Sequence, residues 1–284
     1  MAGNYVKFFL QMCRSKVARP PDTRHVSWAE LFAYAFRQSV HLARKTYDRG
    51  VTTYKVLDDK TCSIQIPLGE VFLPASLKPR TISRLLREAF DKKHWHQYDT
   101  VYTPVTPEDV IVDCGASEGI WALSVVSKVK KIYLIEPQPE FIETLKRNFR
   151  PWIEEGRAEI IEGATGSVDG TCSLSLSEQD ADIGQSVQYD AQGKTRVHKL
   201  DTLFRDKKIT YLKADVEGFE MELLKGAADI VKRDKPKIAI TVYHFQNDWQ
   251  EMKNFLLSLV PEYRWKLRGL VFYGKPMMLH LWTD

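Results

Sequence analysis

Five acids stand where a chain of this pattern would gather chemistry, Asp113, Glu118, Glu136, Asp215 and Glu217, with His244 downstream of them. The first opens the run Asp113-Cys-Gly-Ala-Ser-Glu-Gly119, whose Gly115 and Gly119 let the backbone come close to a ligand before a helix begins. Glu136 follows Gly115 by 21 residues, the distance at which a carboxylate accepts two hydrogen bonds from ribose hydroxyls. An adenosine-type cofactor is thereby indicated. The spacing Gly-x-x-x-Gly lacks the three-glycine pattern that seats a diphosphate against a helix start. At an effective dielectric of about 20, each close like-charge contact costs on the order of a few kcal/mol. Crowded acids therefore disfavour a nicotinamide dinucleotide and favour a cationic ligand. S-adenosylmethionine, with a sulfonium and an amino group, is such a ligand.

Asp215, Glu217 and His244 are the candidates for catalysis, since a transfer whose acceptor must lose a proton needs a base. His244 has the most suitable unperturbed pKa, and Asp215 or Glu217 competes with it for the base role or else caps the helix expected from Phe219. The same three side chains with Asp248 make an acceptable ligand set for a divalent cation; the expectation is chemistry without a metal. His94-Trp-His96, with no further ligands nearby, reads as a surface segment. Trp95, Tyr98, Tyr102 and Trp249 would suit stacking on a sugar ring.

The elements that must position these residues form an alternating pattern after Pro104 and Pro107. Strands are expected at 110–114, 131–136, 158–163, 209–215 and 237–243, and helices at 120–127, 140–149, 219–233 and 249–259, the grammar of a parallel sheet wrapped by helices. Ligands bind such a sheet beyond the carboxyl ends of its strands, where the strand order reverses. The stretch 171–202 is too long for a plain connection and suggests an inserted hairpin. Residues 263–268 and 277–282 read as an antiparallel pair at the sheet edge.

The run Val110-Ile-Val-Asp-Cys-Gly-Ala-Ser-Glu-Gly119, with Ile135-Glu-Pro137, Leu200-Asp-Thr-Leu203, Leu212-Lys-Ala-Asp-Val-Glu-Gly-Phe-Glu220 and Leu224-Lys-Gly-Ala227, resembles the FkbM family of S-adenosylmethionine-dependent methyltransferases. The resemblance covers roughly residues 70–244. It implies the class I methyltransferase fold, a Rossmann-like doubly wound α/β sheet, and O-methylation of a sugar, glycan or polyketide-like hydroxyl. It also implies that Asp113, Gly115 and Ser117 hold the methionine end of the cofactor, Glu136 the ribose and Ala164 the adenine, with Ala116, Gly119, Pro137 and Asp215 completing the set. The sequence departs from the family at Ser117-Glu118, where an uncharged pair such as Asn-Ile is usual. A catalytically silent protein that keeps the pocket as a scaffold is the competing reading, and a dehydrogenase is third. Asp215-Val-Glu-Gly is not the Asn/Asp-Pro-Pro-Tyr/Phe turn of amino-methylating nucleic-acid enzymes, so a nucleic-acid partner is not expected.

Residues 1–100 are expected to form a mixed α/β extension carrying acceptor or homo-oligomer contacts, and 101–284 the cofactor domain. Within the extension, a helix is expected from Ser27 to Asp48, with Ser27 and Glu30 as a capping box and Gly50 closing it. Short strands should follow at 51–57 and 62–67, then a helical stripe through Ile82, Leu85, Leu86, Ala89 and Phe90. The first segment, Met1 to Arg19, is too short and polar to span a bilayer. It is expected to pack its aromatic side on the protein body, with weak contact to a membrane surface as the alternative. With 44% hydrophobic residues, 27% charged and a net charge of +4, the composition excludes disordered and fibrous classes. Four cysteines without CxxC pairing fit a reduced, cytoplasmic setting.

Overall fold

The computed structural model describes residues 2–18, 23–44, 54–176, 185–244, 247–271 and 273–284. Among the described residues the helices Ala2–Ala18 and Trp28–Arg44 come first. The capping box forms as expected: Ser27 Oγ accepts from the Glu30 N–H at 3.1 Å and the Glu30 carboxylate accepts from the Ser27 N–H at 2.7 Å. The expected end of that helix, with Gly50 and the start of the first strand, lies outside the described residues. Phe9 and Met12 of the first helix pack against Leu31, Tyr34, Trp95 and Leu270. Among the described residues no helix is long and apolar enough to cross a membrane.

An antiparallel sheet follows, made of β1 (Tyr54–Val56), β2 (Thr61–Ile66) and β3 (Gly69–Pro74); sequence reading had no third strand here. The helix Pro79–Phe90 buries Ile82, Leu85, Leu86 and Ala89 along one stripe, and Pro79 in its first turn removes no intrahelical donor.

The main sheet has seven strands. β4 (Val110–Cys114), β5 (Lys131–Glu136) and β6 (Ala158–Glu162) run outward in one direction. The chain then builds a small sheet from β7 (Ala164–Thr165), β8 (Gly170–Leu176), β9 (Gln185–Tyr189) and β10 (Thr195–His198). The expected hairpin is its β8–β9 pair, and residues 177–184 of it lie outside the described residues. The chain next returns to the opposite side of β4 as β11 (Tyr211–Ala214), followed outward by β12 (Lys237–Thr241). The last strands are β13 (Arg264–Leu270) and β14 (Pro276–Trp282), giving the order β13-β14-β12-β11-β4-β5-β6. The order reverses between β4 and β11, which opens a crevice at their carboxyl ends.

The expected antiparallel pair forms at the sheet edge as β13 and β14, but the strand antiparallel to the rest is the inner of the two and not the edge strand: β14 lies between β12 and β13, pairing antiparallel with both, so β13 is outermost and parallel to the rest. Hydropathy accounts for this. Met278 to Leu281 are wholly buried, as an interior strand requires, whereas β13 begins with exposed Arg264 and Trp265. The helix expected at 219–233 is two, Glu220–Gly226 and Ala228–Asp234. The break falls where Gly226 meets the backbone of Gly166, so closely that a Cβ there would stand 2.0 Å from the Gly166 carbonyl oxygen.

Alternate residues of the strands feed two cores. Ile111, Ile132, Leu134 and Tyr211 face the helices Pro79–Phe90, Ile120–Val125 and Pro139–Asn148. Val112, Tyr133, Leu212 and Ile238 face the helices after β11 and the helix Trp249–Leu259. Cys62, Ile64 and Leu73 of β2 and β3 join the first of these cores, so the chain before residue 101 shares its packing with the main sheet.

Candidate functional site

Beyond the ends of β4 and β11 lies a cleft of about 1040 Å³. Asp113, Gly115, Ala116, Ser117, Glu136, Pro137, Ala164, Asp215 and Glu217 all line it. Gly119 and His244 do not: Gly119 sits behind the turn against Leu145 and Phe149, and His244 lies beneath Asp215 and Glu217.

One half of the cleft is made of backbone. Gly115 has φ +73° and its N–H, like that of Ala116, donates to the Ile135 carbonyl at 3.0–3.1 Å. A Cβ at Gly115 would stand 1.9 Å from the Asp215 carbonyl oxygen, so only glycine fits. Ser117 is forced to φ +49°, which aims its N–H at Glu136. The Glu136 carboxylate accepts from Ser117 N–H at 2.8 Å and Gln138 N–H at 2.9 Å, fixing its orientation toward the cleft. Burial raises its carboxyl to about 7, against the pull of those two N–H groups. Glu118 is likewise pushed up to about 7 by burial.

Lys213, which sequence reading missed, faces Asp113 across the β4–β11 register. Its ammonium lies 2.7 Å from Asp113 Oδ1 and donates to the Gly115 carbonyl at 2.6 Å. Burial works against that charge, but Asp113 and Asp215 outweigh it and raise the lysine above its usual value. The lysine does not reverse the field: six carboxylates, Glu88, Asp113, Glu118, Glu136, Asp215 and Glu217, line the cleft against Arg84 and Lys213.

The other half is made of side chains drawn from far apart in the chain. Tyr98 donates to Asp215 Oδ2 at 2.8 Å, His96 Nε2 lies 3.5 Å from the same oxygen, and the Thr241 hydroxyl lies 3.1 Å from Asp215 Oδ1. Burial would raise the Asp215 carboxyl; the charges of His96, His244 and Lys213 and the Tyr98 hydroxyl together hold it below its usual value. Neither Asp215 nor Glu217 caps the following helix, which has no side-chain cap. Glu220, its first residue, instead ties down the turn before it, accepting from Val216 N–H at 3.1 Å and Gly218 N–H at 2.9 Å. Glu220 is wholly buried and also accepts from Thr241 and Asn247. This hub stands in the Gly-Phe-Glu end of the motif, where a burial signal is absent from the sequence.

His244 is 1% exposed, with Nδ1 2.8 Å from Glu220 Oε1 and Nε2 3.5 Å from Glu217 Oε2 and 3.8 Å from Asp215 Oδ1. Burial lowers an imidazole, but the surrounding Glu220, Glu217 and Asp215 outweigh it and raise His244 well above its usual range. Donor atoms of Asp215, Glu217 and His244 all lie within 4.8 Å of one another, a spacing that could hold a metal ion. Asp248 is not among them, because its side chain caps the helix Trp249–Leu259 by accepting from Gln250 and Glu251 N–H.

His94 and His96 are not a surface segment: they are 6% and 7% exposed. His94 lies 3.1 Å from the Tyr34 hydroxyl, and burial holds it well below its usual pKa. Of the four aromatics expected at the mouth only Tyr98 reaches it. Trp95 stacks on Tyr34 at 3.7 Å, Tyr102 lies against Trp282, and Trp249 against Trp265, each spent on packing between elements.

Residues 113–265, just over half of the chain, match the family model described as the methyltransferase FkbM domain. No curated protein matches the chain. Among solved structures it is similar to the methyltransferase FkbM from Methylobacillus flagellatus KT, at 25% identity and a TM-score of 0.49. That likeness covers 63% of this chain and 44% of that one, so the chain spans less than half the length of that protein. It is also similar to Aeropyrum pernix fibrillarin in complex with natively bound S-adenosyl-L-methionine, at 13% identity and a TM-score of 0.37 over 81% of this chain and 98% of that. An rRNA methylase from Streptococcus thermophilus matches at 14% identity and a TM-score of 0.36 over 72% and 96%.

Proposed function

The chain belongs to the methyltransferase FkbM family, and from that premise we propose that it moves the methyl group of S-adenosylmethionine to a hydroxyl oxygen of a sugar, glycan or polyketide-like small molecule. The observation that carries this reading is the anchored Glu136 carboxylate, buried and aimed into an acid-lined cleft at the point where the strand order reverses. The cleft also fits the cofactor in a second respect. Ser117 Oγ, Glu118 Oε2, Trp121 Nε1 and Thr165 Oγ1 are buried, make no hydrogen bond within the protein and all belong to residues lining the cleft. Buried polar atoms left open in this way call for a polar ligand.

In this reading Glu136 takes the ribose hydroxyls, the turn 115–119 with Asp113 takes the methionine end, and Gly163, Ala164 and Thr165 flank the adenine. Bound there, S-adenosylmethionine supplies a methyl group already activated for displacement. Much of the acceleration then comes from alignment of the acceptor oxygen, worth up to about 7–11 kcal/mol. Removal of the hydroxyl proton adds roughly 100- to 10,000-fold. Asp215 and Glu217 face the cleft and His244 does not, which favours a carboxylate as the proton acceptor, with His244 positioning both acids from below.

The test is methyl transfer from labelled S-adenosylmethionine to a panel of sugars, lipid-linked glycans and small alcohols, read by mass spectrometry. An O-methylated product is expected. Calorimetry showing that neither S-adenosylmethionine nor its demethylated product binds would overturn the reading. Binding without any product would favour the silent scaffold.

A further inference from the structure

We propose that Asp215, Glu217 and His244 form a binding site for a divalent first-row cation on the floor of the cleft; this rests on the methyltransfer reading for its purpose but not for its geometry. Three features support it. The first is distance. His244 Nε2 stands 3.5 Å from Glu217 Oε2 and 3.8 Å from Asp215 Oδ1, and each of these separations, taken at a tetrahedral angle, corresponds to bonds of about 2.1–2.3 Å, the length of imidazole and carboxylate ligands; the three donor atoms all lie within 4.8 Å of one another.

The second is orientation. His244 is 1% exposed, and its Nε2 makes no hydrogen bond although it is aimed between two carboxylate oxygens. Its other nitrogen faces Glu220 Oε1 at 2.8 Å. A carboxylate behind the distal ring nitrogen fixes the ring and the tautomer of a metal-bound histidine, and the ion takes the place of the proton that the near nitrogen holds in its absence. Glu220 is itself held by Thr241, Asn247 and two backbone N–H groups, so the support behind the ligand is rigid.

The third is charge. Three carboxylates, Asp215, Glu217 and Glu220, meet at one imidazole, and Lys213 is engaged by Asp113 and the Gly115 carbonyl. A dication between them offsets this excess where burial makes it costly. One imidazole with two carboxylates suits Mn2+ or Zn2+ better than Ca2+.

Asp215 and Glu217 also line the cleft, so the ion's remaining positions open toward the acceptor. There it would hold an acceptor hydroxyl in line with the methyl group and weaken its O–H bond, the proton leaving through the second Glu217 oxygen to water. Glu220 is then a positioning residue.

The experiment is Mn2+ binding to the full chain after chelator treatment, followed through the paramagnetic resonance signal of free Mn2+, with calorimetry of the demethylated cofactor in parallel. One ion per chain is expected. His244→Ala should abolish its binding, and Glu220→Gln should weaken it about 10- to 100-fold. Glu217→Gln, isosteric and facing the cleft, should also weaken binding and decides the matter should His244→Ala not fold. A wild-type chain that takes up neither Mn2+ nor Zn2+, or a Glu217→Gln chain that binds Mn2+ as the wild type does, would overturn the proposal. Ion uptake without cofactor binding would leave the ion site standing and remove the methyltransfer reading instead.

Discussion

The two halves of the cleft are built by different means. Around Glu136 the groups that orient the site are backbone atoms supplied by two short runs, 115–119 and 136–138, so each contact is local or spans one strand-to-strand step. Around Asp215 they are side chains brought from residues 96, 98, 241 and 244. A site made of backbone and glycine tolerates few changes in conformation but many in neighbouring side chains. A site made of assembled side chains is the reverse, and under the proposed methyl transfer it is the half in which acceptor specificity would vary without disturbing the cofactor. The comparison can be broken by substitutions that move the wrong half.

The largest effect on activity is expected from the acceptor half. Glu217→Gln should lower kcat by about 100- to 10,000-fold, the range for loss of proton transfer to a positioned group. Affinity for the demethylated cofactor, measured by calorimetry, should hold. A parallel loss of cofactor affinity would show that the two halves are one.

Next comes the pair that sits under both. Asp113→Ala leaves the Lys213 ammonium buried without its carboxylate, which should cost about 3–5 kcal/mol of stability in denaturant unfolding. Adding Lys213→Met should recover most of that loss, because the uncompensated charge is removed along with its partner.

The same contrast decides what could be read from the sequence. Asp113, Gly115, Ser117 and Glu136 were legible as cleft residues because a turn and a carboxylate 21 residues later are a local pattern, and strand alternation fixes where they emerge; Ala164 came only with the family resemblance. Lys213 was not legible. A lysine inside the apolar strand Tyr-Leu-Lys-Ala is ambiguous until the register sets it opposite Asp113. Tyr98 was expected at the mouth and reaches it, but His96, read as part of a surface segment, precedes the sheet pattern altogether, and only tertiary packing turns it inward. Glu220 could be read as a cap or a surface acid of the helix, and its burial depends on β12 and Asn247. The antiparallel pair at the sheet edge was legible from two runs around Gly274-Lys-Pro, but which of its strands lies inside was not, because that depends on the burial of Met278 to Leu281 between β12 and β13.

A third test uses pH and addresses the cofactor half alone. Burial raises Glu136 and Glu118 from 4.5 to about 7. For an acid raised on folding, the stability is full below the unfolded value and is lost as pH rises through the folded one. The ligand-free protein should therefore become less stable between about pH 4.5 and 7, each carboxyl contributing on the order of 3 kcal/mol. Glu136→Gln should remove its share of that slope in pH-dependent unfolding. It should also weaken cofactor binding about 10- to 100-fold, as loss of hydrogen bonds to a charged group does. A slope unchanged in Glu136→Gln would mean the carboxylate is solvated.

The smallest expected effect lies at the seam. Tyr98 donates its hydroxyl to Asp215 on the acceptor side, while its ring meets Trp121 edge-on at 5.3 Å and stands 5.1 Å from the Lys213 ammonium on the cofactor side. Tyr98→Phe removes only the first of these contacts. Asp215 keeps Thr241 at 3.1 Å and His96 at 3.5 Å, so the carboxylate should stay in place and lose about 1 kcal/mol of orientation. That corresponds to a fall in kcat of roughly fivefold with the cofactor's Kd unchanged, read from steady-state rates and calorimetry on the same preparation. A Kd that shifts as far as kcat would mean that the tyrosine couples the halves through Lys213, and that acceptor and cofactor bind to a single interlocked network rather than to two separable surfaces.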